Sequence, residues 1–152
     1  MTRHSRSEET RHFGGPEEDA FLSLLRTTDL LSRNVEKVLR SADVSPTQYN
    51  VLRILRGAAE GLTCTEIANR MINRDPDITR LLDRLEKRAL ISRCRENPDR
   101  RMVLTRISPE GLRLLRRLDD PVMEVHKKQL GHLGKEGLRT LVTLLATVRE
   151  KI

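Results

Sequence analysis

The side chains of this 152-residue sequence that could do chemistry are mostly arginines and lysines, and their density is highest in one stretch. Residues 84–101 contain seven basic and three acidic side chains, a net charge of +4 in 18 residues. The whole chain has 29 basic and 22 acidic residues, a net charge of +7. Such a stretch is typical of a surface that binds the phosphates of a nucleic acid, although a solvated charged face would have the same composition.

Catalysis and metal binding need other residue types at particular spacings, and the sequence lacks these arrangements. It has no Ser/His/Asp order, no glycine-rich phosphate loop and no pair of carboxylates that can be placed in a cleft. The histidines do not have the spacing of a ligand set: His4, His12, His126 and His132. We therefore expect a protein that is not an enzyme and has no metal site and no cofactor.

The cysteines and the short apolar runs predict a cytoplasmic protein. Cys64 and Cys94 are too few for a disulfide framework and fit a reducing compartment. Cys94 is expected to pack within a strand. Cys64 is predicted at a helix N-terminus, where a redox switch is the alternative to an ordinary thiol. No apolar run approaches the roughly 18–20 residues that span a bilayer, and the N-terminus does not resemble a signal peptide.

The first two helices are predicted from apolar spacing and from capping residues. Residues 1–16 have no periodicity, so we expect a disordered N-terminal arm. Apolar residues then recur every three or four positions and predict a helix over about 17–41. Ser45, followed by proline, predicts the start of a second helix.

Two further short helices have the spacing of a helix-turn-helix, whose second helix can enter the major groove of DNA. Thr63 and Glu66 fit a capping box at the start of one helix. Pro76 is the expected first residue of the next, which presents Thr79 and Arg80 outward.

A basic hairpin after these helices makes the arrangement a winged helix. Alternating apolar and polar residues predict strands over 90–95 and 101–107, joined by a turn at 96–99. Helices are then expected from Ser108 and from about Lys135. The expected fold class is mainly α with a small β-wing, in which the winged helix-turn-helix lobe covers about 45–107.

Five sequence blocks, in order along the chain, resemble those of the MarR family of bacterial and archaeal winged-helix transcription regulators. The resemblance covers roughly residues 20–150. Two positions depart from the family pattern where glycine is usual: Ile72 before the recognition helix, and Ala89 after it, where we expect the helix to end differently. The blocks are SPTQYNVL at 45–52, GLT at 61–63 with EIA at 66–68, TRLLDRLEKR at 79–88, NPDRR at 97–101 and SPEG at 108–111.

The resemblance implies a single MarR-type domain, residues 17–152, that forms a homodimer and binds a pseudo-palindromic operator in double-stranded DNA. The dimerisation helices are expected at about 17–41 and 109–152, and their apolar stripes are more than a lone chain of this size easily buries. The expected activity is repression by occupancy of the operator. Alternatives are a constitutive activator without a ligand and a winged-helix protein-interaction module without DNA binding, which would lack the steep salt dependence of phosphate binding.

The resemblance also implies a small aromatic or anionic effector between the dimer helices and the winged lobe. Arg26, Asp29, Arg33 and Tyr49 lie on the corresponding segments, but each is equally a structural pair or a core residue. The effector-binding residues therefore stay open.

The residues predicted to contact DNA have different expected roles. Arg80 is expected either to form two hydrogen bonds with a guanine or to bind a phosphate or an acidic side chain. Arg84 is expected to bind a phosphate. Asp77 either accepts from cytosine or, as we favour, serves the helix dipole. Thr63 is expected mainly as a cap. The full set is Thr47, Thr63, Thr65, Arg74, Asp77, Thr79, Arg80, Arg84, Arg100 and Arg101.

The wing roles come from the resemblance. Either Arg100 or Arg101 is expected to reach into the minor groove, and Asp99 is expected to brace the wing by pairing with an arginine. The sequence leaves open which arginine has which role.

Overall fold

The structure, a computed structural model, describes residues 14–95 and 102–152. Of these, residues 14–33 belong to one compact unit and residues 34–152 to another. The fold is mainly α with a two-stranded antiparallel wing, as predicted. Its elements are α1 Gly15–Arg40, α2 Pro46–Arg56, α3 Cys64–Arg70, α4 Ile78–Lys87, β1 Ile91–Arg95, β2 Val103–Ile107, α5 Pro109–Leu130, a 3-10 turn Gly131–Leu133 and α6 Gly134–Glu150.

Three helices begin where the sequence predicts a capping residue. Ser45 accepts a hydrogen bond from the backbone N–H of Gln48, whose side chain accepts in return from the N–H of Ser45, both at 3.1 Å. Thr63 and Glu66 form the same reciprocal box at the start of α3. Ser108 accepts from the N–H of Gly111 at 3.0 Å. Each cap satisfies backbone donors that a helix start leaves without partners.

Two predicted helix starts differ from the structure. α1 begins at Gly15, so the last two residues of the predicted arm are helical, while residues 1–13 lie outside the described part. The prediction that Pro76 begins α4 is wrong, because Asp77 is the N-cap and Ile78 the first helical residue. The Asp77 carboxylate accepts from the N–H of Arg80 at 3.1 Å, which places the cap one residue after the proline.

α4 ends in a left-handed turn of the kind that glycine usually forms, although the residue there is alanine. Ala89 has a φ of 56°, in the left-handed region. Its N–H bonds to the carbonyl of Glu86 at 2.8 Å, and the N–H of Leu90 bonds to that of Leu85 at 3.0 Å, the pair of bonds of a Schellman motif. Leu85 and Leu90 are both buried. The expectation of a different helix end is therefore wrong, because the two bonds and the burial of both leucines in the core hold the turn.

The β1–β2 hairpin, called the wing below, packs one face against the helices. Arg93 lies opposite Thr105 in the ladder, and Thr105 is 1% exposed. Side chains alternate between the two faces of a strand, so Cys94 lies on the other face. Cys94 is exposed, and the prediction that it is packed is wrong.

The core of the 34–152 unit is aliphatic. It includes the end of α1, α2, α3, α4 and the first half of α5, and Tyr49 is its single aromatic residue. Among the described helices, none combines the length and apolar character needed to cross a membrane. The apolar side chains with almost no exposure are Leu39, Val44, Val51, Leu52, Leu55, Ile67, Leu82, Leu85 and Leu115.

Candidate nucleic-acid interface

The outward face of α4 carries the residues predicted to read DNA. Leu81, Leu82 and Leu85 are buried, and at 100° per residue Arg80 and Asp83 lie on the opposite side. Thr79 and Arg80 are exposed, in the first turn, as predicted. The Arg80 guanidinium is therefore accessible to a groove of DNA that α4 would enter.

Asp77 holds the first turn of α4 in two ways. Its carboxylate accepts from the N–H of Arg80, and its Oδ2 lies 3.3 Å from Nε of Arg80. The acidic partner of Arg80 is thus the N-cap residue of α4. This geometry agrees with the role of Asp77 at the helix dipole, and a contact of Asp77 or Arg80 with DNA stays a prediction.

Thr63 is a cap whose single hydroxyl proton is already donated. The hydroxyl accepts from the N–H of Glu66 and donates to Oε2 of Glu66 at 2.9 Å. Hydrogen bonds from the N–H and hydroxyl of Thr63 lower the pKa of the Glu66 carboxyl below its usual range. A hydroxyl has one proton, so Thr63 would have to release Glu66 before donating to a phosphate.

The other predicted phosphate contacts lie at helix starts and in a loop. Thr65 is exposed near the start of α3, Thr47 is half-buried near the start of α2, and Arg74 is exposed between α3 and α4. The wing residues predicted to contact or brace DNA, Asp99, Arg100 and Arg101, lie outside the described residues. All of these roles stay predictions.

Arg84 lines an open cleft of about 570 Å³, called the basic cleft below. The cleft is formed by the end of α1, the start of α2 and the end of α4. Arg88 closes one side, because its guanidinium donates to the carbonyls of Asp43 at 2.5 Å and Ala42 at 3.3 Å. The lining residues are Glu36, Arg40, Asp43, Val44, Ser45, Pro46, Gln48, Arg84, Lys87 and Arg88.

Sequence reasoning missed this cleft. The sequence feature that could have indicated the cleft is a row of basic residues along α4. Residues 84, 87 and 88 are spaced by three and four positions and therefore share one flank of the helix. The earlier effector candidates lie elsewhere: Arg33 pairs with Asp29 at 2.7 Å, Arg26 is exposed, and Tyr49 is buried in the core.

The wing is tied to α4 by an ion-pair cluster that the sequence did not predict. Arg93 of β1 donates to Asp83 at 2.5 Å and to both carboxylate oxygens of Glu86 at 3.0 and 3.1 Å. These hydrogen bonds lower the pKa of Glu86 and raise that of Arg93. Alternation along β1 places residue 93 towards the helices, but only the packing of the wing shows which helix it meets.

The described histidines and cysteines lie apart from one another, on different elements of the fold. Among residues 14–95 and 102–152, no three His, Cys, Asp or Glu side chains come close enough to hold a metal ion. His126 lies in α5 and His132 in the 3-10 turn that follows. Cys64 is half-buried at the first position of α3.

Comparison with known proteins gives both a family and a DNA-bound relative. Residues 44–103 match the model of the MarR family. The HTH-type transcriptional regulator FarR of Neisseria gonorrhoeae is 29% identical over 126 residues, which cover 82% of this chain and 85% of FarR. A mutant MarR from E. coli, solved in complex with operator DNA, is 25% identical with a TM-score of 0.77, covering 87% of this chain and 95% of that one.

A third comparison covers almost the whole of both chains. The crystal structure of a MarR transcription factor from Planctomyces limnophilus is 38% identical to this sequence, with a TM-score of 0.68. The match covers 90% of this chain and 99% of that one. With the winged helix and the outward face of α4 described above, this shows that the chain belongs to the MarR family of DNA-binding transcription regulators.

Proposed function

We propose that this protein is a homodimeric repressor that covers a pseudo-palindromic operator and releases it when a small anionic effector binds. The observation that carries the proposal is the first turn of α4, where Arg80 is 70% exposed on a helix start that Asp77 caps. A guanidinium in that position can form two hydrogen bonds with a guanine edge in the major groove. Repression then follows from occupancy, because polymerase and repressor cannot hold the same DNA.

Homodimer formation is supported by apolar side chains that the single chain leaves in water. In α1, Phe21 is 58% and Leu25 52% exposed. In α6, Leu144 and Val148 are exposed one turn apart. A monomeric protein seldom leaves helix faces of this kind uncovered, so we infer that a second copy covers them.

Effector binding is supported by the basic cleft. Four of its lining residues are basic and two are acidic, so the surface favours an anion. Arg84 and Lys87 reach it from α4, while Arg40 reaches it from α1. A bound anion would therefore connect the helix that reads DNA with a helix of the proposed dimer interface, and it would shift operator affinity if it favoured one of two spacings of the α4 helices.

The test is selection of 30-bp duplexes from a random library by the full-length protein, followed by titration of the enriched duplex over a salt series. We expect an enriched inverted repeat whose half-site centres are about 10 bp apart, because two-fold symmetry places the α4 helices roughly one turn of DNA apart. Arg80→Ala is expected to lose about 10- to 100-fold in affinity for that duplex and much less for a scrambled one.

Several outcomes would contradict the proposal. No binding to any duplex at low salt would favour a protein-interaction module, and a single half-site without symmetry would exclude the dimeric mode. The effector is tested with benzoate as the probe. Benzoate should raise the melting temperature of the wild type and weaken DNA binding. Neither effect should occur in Lys87→Ala, which changes the cleft without changing a predicted DNA contact.

A further inference from the structure

An acidic residue lies near the centre of the surface that α4 turns outward. At 100° per residue, Asp83 is almost opposite the middle of the buried face formed by Leu81, Leu82 and Leu85. Half of its side-chain surface is exposed. A bare carboxylate in this position would face the phosphates of any DNA that α4 enters, and the two negative charges would repel each other.

The Asp83 carboxylate forms an ion pair with one guanidinium from the wing. Nη2 of Arg93 bonds to Oδ1 of Asp83 and Oε1 of Glu86, and Nε bonds to Oε2 of Glu86. The Arg93 side chain is the most buried of the three, at 24% exposed against 50% for Asp83 and 41% for Glu86.

The wing in turn holds Arg93 in place. Its partner across the ladder is the buried Thr105, whose backbone also forms a pair of hydrogen bonds with Leu62, at 2.8 and 3.0 Å. Arg93 is thus set between a fixed strand and α4, with its guanidinium directed at two carboxylates. Two bonded donors on one planar group restrict it more than a lysine ammonium would be restricted.

We propose that Arg93 is a positioning residue for DNA recognition, which offsets the charge of Asp83 on the outward face of α4, binds Glu86 beside it and sets the wing against that helix. This inference rests on the proposed function, because it requires α4 to enter a groove of DNA. Arg93 itself needs no contact with DNA. Its effect acts through the charge that α4 presents to the phosphates.

The experiment is a double-mutant cycle on the full-length protein, titrated with a fluorescent 30-bp duplex that carries the selected sequence, at 50 to 300 mM salt. Arg93→Ala is expected to weaken binding by about 30-fold at 50 mM salt, because the Asp83 carboxylate then faces the phosphates without Arg93 and the neighbouring Glu86 also loses its partner. Asp83→Asn added to that variant is expected to recover about 10-fold or more, although it restores no bond to the wing.

Salt dependence gives a second readout that a merely structural role would not produce. Repulsion between carboxylates and phosphates is screened, so the loss in Arg93→Ala should shrink as salt rises. The slope of log K against log salt should become shallower by about 1 to 2 units.

Arg95→Ala is the matched control. It removes the same charge from the same strand, and among the described residues the Arg95 side chain has no bond to α4. Asp83→Asn should change the affinity of Arg95→Ala by about the same factor as it changes that of the wild type, and by much less than the roughly 10-fold expected in Arg93→Ala. Arg93→Lys keeps the charge with less risk to folding and should lose less than about fivefold.

The outcomes are separable. If Arg93→Ala binds within threefold of the wild type, or if Asp83→Asn restores nothing in that variant, this inference is overturned while the proposed function stands. A loss in Arg93→Lys as large as that in Arg93→Ala would also overturn it, since the charge would then not be the cause. A wild type that binds no duplex would overturn both proposals.

Discussion

At the scale of single residues, several side chains already have a structural partner before any DNA arrives. Asp77 caps α4 and pairs with Arg80, and Thr63 caps α3 with its one hydroxyl proton donated to Glu66. Arg80 gives up only an exposed ion pair when it leaves Asp77, and exposed pairs are worth about 0–1 kcal/mol. Arg80 is therefore better suited to reach a base than Thr63 is to reach a phosphate.

Ala89 provides a stability prediction at this scale. Because its φ of 56° suits glycine, we expect Ala89→Gly to raise the free energy of unfolding by about 0.5–1 kcal/mol. Thermal and urea denaturation measure the change. Ala68→Gly, inside α3, is the control and should lower stability by about 1 kcal/mol. A loss of stability in both variants would show that the turn after α4 does not favour glycine.

Glu86 provides a prediction about pH. Hydrogen bonds from Arg93 lower its pKa in the folded protein from the ordinary value of 4.5, so the folded state favours the charged carboxylate. This stabilisation is complete above pH 4.5 and is lost as the pH falls through the lowered pKa. Urea denaturation from pH 6 to pH 3 should show a smaller decrease for Glu86→Gln than for the wild type. Parallel curves would contradict the assignment.

At the scale of elements, the helix starts are set by local chemistry and the wing by packing. The capping box at Thr63 and Glu66 begins a helix of only seven residues, which is too short to be stable by itself. The position of α3 thus depends on its cap and on the burial of Ile67.

The cap of α3 can be tested against a neighbouring threonine. Thr63→Ala removes an acceptor for the N–H of Glu66, and we expect it to cost about 1 kcal/mol of stability. Thr65→Ala, exposed in the same helix, should change stability by less than about 0.5 kcal/mol. Denaturation by urea measures both. Equal effects would show that the cap contributes nothing beyond an ordinary surface residue.

At the scale of the whole molecule, α1 and α6 each leave apolar side chains exposed in the single chain. Leu144 and Val148 lie one turn apart and are exposed, at 61% and 48%. If a second copy packs on this face, glutamates introduced at positions 144 and 148 would have to be buried in the interface. Unpaired buried charges are strongly unfavourable.

We therefore expect Leu144→Glu with Val148→Glu to convert the proposed dimer to a monomer and to reduce DNA affinity by about 100-fold or more, since one lobe then binds without the other. Sedimentation and duplex titration measure the two effects. Arg139→Glu, on the opposite side of α6, should leave the sedimentation unchanged. A monomeric wild type, or a variant that stays dimeric, would contradict the proposed interface.

The sequence alone determined the features that depend on neighbours along the chain. Apolar spacing, capping serines and threonines and the change of period at Leu90 were enough for the winged helix and for the exposure of Thr79 and Arg80. Local rules were ambiguous at Pro76 and Asp77, where two residues can each begin a helix. They were also ambiguous at Ala89, where the burial of Leu85 and Leu90 in the core outweighs a backbone preference.

Only the tertiary structure decided which distant residues meet. The basic cleft joins α1, α2 and α4, and the Arg93 cluster joins β1 to α4, so each depends on how elements pack. Periodicity gives the face of an element on which a side chain lies, but not the neighbour across from it, because packing is set by the shape and volume of the whole core. Cys94 shows the same limit, since alternation along β1 separates two faces and only the packing of the wing shows which one is covered.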